Sequence, residues 1–190
     1  MMEGVRIRRE RMGDEAGIDR VNREAFGQPT EARIVDAIRR GGHAAISLVA
    51  VEDATIVGHI LFTPVTVEPS EPIGLAPEHP PGPASEPAAD RLRILGLGPM
   101  AVLPARQRRG IGSGLVAAGL DDCSAEGAQA IVVVGHPEFY PRFGFRPAVS
   151  YDLRSEFPVP DDVFMALELT PGALRGHHGC VRYLPDFAGA

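Results

Sequence analysis

Met100-Ala101-Val102-Leu103-Pro104-Ala105-Arg106-Gln107-Arg108-Arg109-Gly110-Ile111-Gly112-Ser113-Gly114-Leu115 runs an apolar strand directly into a glycine-rich helix start. The first amides of a helix have no partner within it and carry partial positive charge, and glycines let an anion come close to the backbone. Arg108 and Arg109 add charge to the same loop. The stretch therefore points to a phosphate-bearing ligand. Gly110, Gly112 and Gly114 match neither the phosphate loop that ends in Gly-Lys-Ser/Thr nor the GxGxxG dinucleotide loop. Read alone, the same stretch also suits an ordinary glycine-rich turn before an amphipathic helix.

Working outward, the helix begins near Arg109 or Gly110 and sets Ile111, Leu115, Val116 and Leu120 at helical spacing. Arg93 to Leu103 before it reads as a strand with a bulge at Gly98-Pro99, and Ala130 to Val134 after it as a nearly continuous apolar strand. Further upstream, Val5 to Arg9 alternates like a half-buried strand, and Asp14 offers a cap for a helix carrying Ile18 and Val21. A second helix starts at Thr30 and stops at Gly41-Gly42. Ala45 to Val51 and Thr55 to Val67 form a hairpin across Glu52-Asp53-Ala54, with Pro64 bending or bulging the second strand. A Pro-rich exposed loop is expected at about 68–91. His136 to Phe143 makes one helical turn, and Phe164 to Leu169 and Gly179 to Leu184 are late strands. The order βααβββαβαββ implies one α/β domain over 1–190, with a mixed sheet of about six to seven strands. Crossovers through the third and the short helix would put parallel neighbours in the middle, with helices on both faces.

In family terms the loop is similar to the acetyl-CoA motif of the GCN5-related N-acetyltransferases, Q/R-x-x-G-x-G/A, met as Gln107, Gly110 and Gly112, with the typical Val102-x-Pro104 upstream. About thirty residues on, Phe139-Tyr140-Pro141-Arg142-Phe143-Gly144-Phe145 resembles the family's Y-x-x-x-G-F signature. Gly135-x-Pro137 ahead of it resembles the YhbS-like bacterial subgroup. The resemblance implies a splayed sheet, coenzyme A pyrophosphate on the amides of Gln107, Arg108, Arg109, Gly110, Ile111, Gly112 and Ser113, and the pantetheine arm laid along Met100, Ala101 and Val102. It also implies that Tyr140 protonates the leaving thiolate during direct acetyl transfer to an amine, of a small molecule or a protein, without a covalent intermediate. Tyr140 otherwise reads as a packing residue among Phe139, Phe143 and Phe145. Many members carry an asparagine about six residues before the tyrosine, where this chain has Val134-Gly135-His136. That departure motivates the alternative of a coenzyme A-binding sensor or scaffold without turnover.

Composition narrows the rest. With 19 Lys and Arg against 25 Asp and Glu, the net charge of -6 argues against a nucleic-acid partner. No run approaches the roughly 20 apolar residues of a membrane span. Two cysteines, Cys123 and Cys180, have neither disulfide nor zinc spacing, so the expectation is a reducing cytoplasm and no metal. His177-His178 lacks a third ligand. The proton acceptor for the amine stays open among Glu24, His59, Glu68, His136 and water. An exposed edge near the C-terminus would suit a homodimer.

Overall fold

The structure, a computed structural model, describes residues 4–69 and 92–189; the Pro-rich insertion expected at about 68–91 lies outside them beyond Pro69. Strand β1 (Val5–Arg9) leads to helices α1 (Glu15–Phe26) and α2 (Thr30–Gly41), then to strands β2 (Ile46–Glu52), β3 (Thr55–Glu68) and β4 (Ile94–Val102). Helix α3 (Ile111–Ala125) and β5 (Ala130–Val134) follow, then the short strands β6 (Arg146–Pro147) and β7 (Leu153–Ser155), and finally β8 (Phe164–Glu168) and β9 (Gly179–Arg182). The nine strands form one sheet in the order β1-β2-β3-β4-β5-β8-β6, with β9 bridging β3 and β7.

Helices cover both faces, as the alternating pattern predicts. On one face Ile18, Val21, Ile34, Val35 and Ile38 pack against Val49, Leu61 and Ala101. On the other, Ile111, Leu115 and Val116 of α3 lie on Leu48, Ile60 and Phe62. Gly119 lets α3 sit this close, because a Cβ there would come within 2.4 Å of the Phe62 ring.

Several local expectations are corrected. Asp14 caps nothing with its side chain: its carboxylate pairs with Arg8 at 2.6 Å and accepts from the Arg11 amide, a charge-assisted partner that outcompetes a neutral cap. The register breaks fall at Ala50/Val51 and between Ile60 and Phe62, and none at Pro64, which stays in register with Leu95. The polar connection between β2 and β3 is a tight turn with positive φ at both Asp53 and Ala54. The predicted helix at His136–Phe143 is a short 3₁₀ turn over Tyr140–Phe143. One central parallel pair forms, β4 with β5; the path through the short turn returns antiparallel, β5 with β8.

The sheet splays beside β4. Parallel pairing runs from Ile94 opposite Ala130 to Leu97 opposite Val133 and stops there. One extra residue of β4 between Leu97 and Met100 makes a bulge against Ile60–Phe62, after which Met100, Ala101 and Val102 keep only β3 as a strand partner among the described residues. Strand β5 meanwhile turns to the other side, where the Gly135 amide donates to the Val163 carbonyl at 2.9 Å.

Candidate active site

The gap between the diverging ends of β4 and β5 opens into a cleft of about 1050 Å³. Its floor is the free edge of β4, so the pantetheine candidates Met100, Ala101 and Val102 all line it. An extended ligand with amide groups can take the place of the missing strand along such an edge.

At one end of the cleft stands the glycine-rich loop. Arg108 (φ +59°) and Gly110 (φ +86°) are both left-handed, and a turn of this kind makes a concave array of amides suited to an anion. Gly110 is the N-cap of α3; Gly114 is the first residue whose amide reaches back, to the Gly110 carbonyl at 2.9 Å. The first-turn amides ahead of it follow the general rule and have no helical acceptor. Gln107 ties the loop to its strand through Nε2 to the Val102 carbonyl at 3.0 Å. Arg106 and Arg108 both line the cleft; Arg106 is paired with Glu52, which leaves Arg108 as the loop cation there without an ion pair among the described residues. Of the loop residues named from sequence, Gln107, Arg108, Gly110, Ile111, Gly112 and Ser113 line the cleft and exposed Arg109 does not.

Tyr140 lines the same cleft, 6% exposed, between Phe139 at 5.0 Å and Phe145 at 5.5 Å, both edge-on. Its place depends on Gly135, where a Cβ would lie 2.2 Å from the Tyr140 ring. The departure Val134-Gly135-His136 is thus the space that seats the tyrosine. Burial pushes its phenol up to about 12, so the proton stays on at any ordinary pH. The hydroxyl is therefore a donor to whatever charge develops beside it.

Of the four proton acceptors considered from sequence, His136 alone lines the cleft. Glu24 is an exposed residue of α1, and Glu68 pairs with Arg182. His59 lies buried beneath α1, with Nδ1 3.2 Å from Asn22 Nδ2 and Nε2 3.1 Å from Ser47 Oγ. The Ser47 hydroxyl donates its single proton to Glu10, so His59 Nε2–H must donate to Ser47 while Nδ1 accepts from Asn22. Both ring nitrogens are satisfied in the neutral form. Burial, with the Arg39 cation adding to it, lowers the ring to about 3. His59 is structural.

Three cleft residues escape a sequence reading. Arg142 lies over the Phe139 ring at 4.5 Å and reaches Ser113 Oγ at 3.4 Å, adding a second cation at the loop. Glu31 and Tyr183 line the cleft from α2 and from the residue after β9, and the buried Glu31 Oε2 and Tyr183 hydroxyl have no hydrogen-bond partner among the described residues. Arg142 sits inside the tyrosine signature and is the one that sequence position flags.

A splayed sheet with a glycine-rich helix start and a buried phenol at the gap defines an α/β fold with a cleft along the free edge of one strand. The sequence profile of the Acetyltransferase (GNAT) family matches residues 17–145, and the chain belongs to that family. It is 32% identical over 175 residues to the uncharacterized N-acetyltransferase YhbS of Escherichia coli K12, covering 92% of this chain and 93% of that one. It is also 32% identical to YjhQ of the same organism, covering 93% and 91%. The crystal structure of Escherichia coli YhbS in complex with CoA superposes with a TM-score of 0.82 at 31% identity, over 97% of this chain and 92% of that one. A GNAT family acetyltransferase from Brucella melitensis in complex with acetyl-CoA gives 0.72 at 32% identity, over 96% and 97%. The chain is an acetyl-CoA-dependent N-acetyltransferase.

Proposed function

We propose that the cleft binds acetyl-CoA along β4 and transfers its acetyl group directly to an amine. The observation that carries this reading is the three-residue free edge Met100–Val102 ending at the amides of the α3 start. The two relatives crystallised with CoA and with acetyl-CoA support it. In this reading the amides from Gln107 to Ser113, with Arg108 and Arg142, hold the pyrophosphate, and the pantetheine amides complete the edge of β4. Thioester carbonyl polarisation falls to a β4 amide.

The neutral amine attacks the carbonyl carbon, the N–C bond forms and the C–S bond breaks. Tyr140 donates to the departing sulfur. A phenol near 12 is a weaker acid than a thiol near 8.5, so its contribution is a hydrogen bond that stabilises the thiolate, with the proton passing over only as water restores it. The amine's own proton leaves to water or to His136, the acceptor candidate that faces the cleft.

Tyr140→Phe tests the assignment. Thiol release should fall about 100-fold, the lower end of what a positioned acid contributes, while acetyl-CoA affinity measured by calorimetry stays within about twofold. Unchanged turnover removes Tyr140 from the chemistry, and acetyl-CoA binding without thiol release for any amine removes the transfer itself.

A further inference from the structure

We propose that the half of the cleft facing away from the loop is an acceptor subsite for a small, singly charged primary amine with an apolar body, whose amino group is held by Glu31 Oε2 and the Tyr183 hydroxyl. This rests on the acetyl-transfer reading above and names its substrate class.

Two independent placements converge on β4. Glu31 lies in the first turn of α2, one turn ahead of Ile34 and so on the same helical face. Ile34 packs in the same buried cluster as Ala101, which brings that face to the free edge of the strand. Tyr183 comes from the opposite end of the chain and lies over Gly96 of β4, where a Cβ would come within 2.8 Å of its ring. Its ring stacks with Phe157 at 5.2 Å and Phe187 at 5.6 Å.

Both residues keep one buried polar atom that has no partner among the described residues. Glu31 Oε1 accepts from Gln28 Nε2 at 3.0 Å, and Oε2 is left over. Tyr183 spends its backbone amide on Glu156, and its hydroxyl is left over. Buried polar atoms without partners are rare because each costs the full loss of its water, so two in one cleft mark a place where a ligand completes the bonding. An amino group fits both: Oε2 accepts one N–H, and the hydroxyl, donor and acceptor at once, takes another.

The walls select the rest of the molecule. Phe157 and Phe187 flank Tyr183 and, with Phe26 and Val159, line the cleft; Phe26 is 41% exposed. Among the described residues Glu31 is the single carboxylate lining the cleft, and one carboxylate among aromatic rings favours one cationic group on an apolar skeleton. It offers no partner for further ammonium groups, and it repels a substrate carboxylate. The held ammonium first gives one proton to water; the neutral amine then attacks the thioester, the N–C bond forms as the C–S bond breaks, and its second proton ends on the departing thiolate, leaving the N-acetyl amine, free coenzyme A thiol and one net proton in water.

The test is a thiol-release assay with acetyl-CoA and four probes: 2-phenylethylamine, spermidine, phenylalanine and a lysine peptide. The expected result is a kcat/KM for 2-phenylethylamine at least about tenfold above the other three. Glu31→Gln should raise its KM about tenfold or more, and Tyr183→Phe about threefold or more, with acetyl-CoA affinity unchanged. Neither change should lower the melting temperature, because neither atom has a partner to lose among the described residues; a merely structural role would show the reverse. Calorimetry of 2-phenylethylamine on the CoA-saturated protein reads the same loss of affinity without turnover. Preference for spermidine, phenylalanine or the peptide, or a KM indifferent to both substitutions, overturns the subsite while leaving acetyl transfer standing. Failure of every amine while acetyl-CoA binds overturns acetyl transfer first.

Discussion

His59 and Tyr140 are both buried titratable residues, and the difference between them lies in which atoms are already paired. The imidazole has both nitrogens occupied, by Asn22 and Ser47, and its neighbours require the neutral tautomer. A proton on Nδ1 would face the donor nitrogen of Asn22. In the unfolded chain the ring titrates near 6.5, and in the fold near 3, so below about pH 6.5 the unfolded state takes up a proton that the folded state refuses. Stability is therefore whole above that value and drains away as the pH falls through it, at about 1.4 kcal/mol per pH unit. Urea unfolding at pH 6.5 and 5 should differ by about 2 kcal/mol from this group, and the difference should vanish in His59→Gln. An equal slope in that variant would assign the acid sensitivity elsewhere. Cys123 shows the same physics with the opposite sign: burial raises its thiol to about 12 and leaves it an inert part of the α3 core.

At the scale of elements, the strands and helices that carry periodicity were legible, and those that do not were lost. The apolar stripes Ile34-Val35-Ile38 and Ile111-Leu115-Val116 announced α2 and α3 and the faces they bury. Strands β6 and β7 are two and three residues long, too short for any alternation to register. The sequence marks the β2–β3 connection as a hairpin but not its turn type; φ values of +45° at Asp53 and +62° at Ala54 are those of a two-residue hairpin turn that matches the strand twist. Alanine is a poor fit there because its Cβ crowds the backbone in the left-handed region. Ala54→Gly should stabilise the protein by about 0.5–1 kcal/mol in chemical denaturation, and a loss of stability would show that the hairpin does not use this turn. The cleft residues divide the same way: the loop and the tyrosine signature are contiguous in sequence, whereas Glu31 and Tyr183 line one cleft only because the fold brings distant parts of the chain to it.

Across the whole molecule, β4 does two jobs that pull its ends apart. Its first half is a core strand between β3 and β5, and its second half leaves β5 behind to offer a free edge that leads to the α3 start. The layers above and below exist to hold that split open, with α3 pressed close on one face by Gly119 and the α1–α2 pair on the other. The loop is where the proposed reading puts the donor's phosphates, and Gly112 is the position to probe. It carries no positive φ, and an added Cβ would meet Met100 and Phe139 only at ordinary contact distances of 3.5–3.7 Å. Gly112→Asp should therefore fold normally while placing a carboxylate among the first-turn amides of α3 proposed to hold pyrophosphate. Titration calorimetry of acetyl-CoA against the wild-type protein and this variant should show an affinity loss of about 100-fold or more, in keeping with an anion set against an anion site. Equal affinity in the two proteins would mean that the pyrophosphate binds somewhere other than the start of α3.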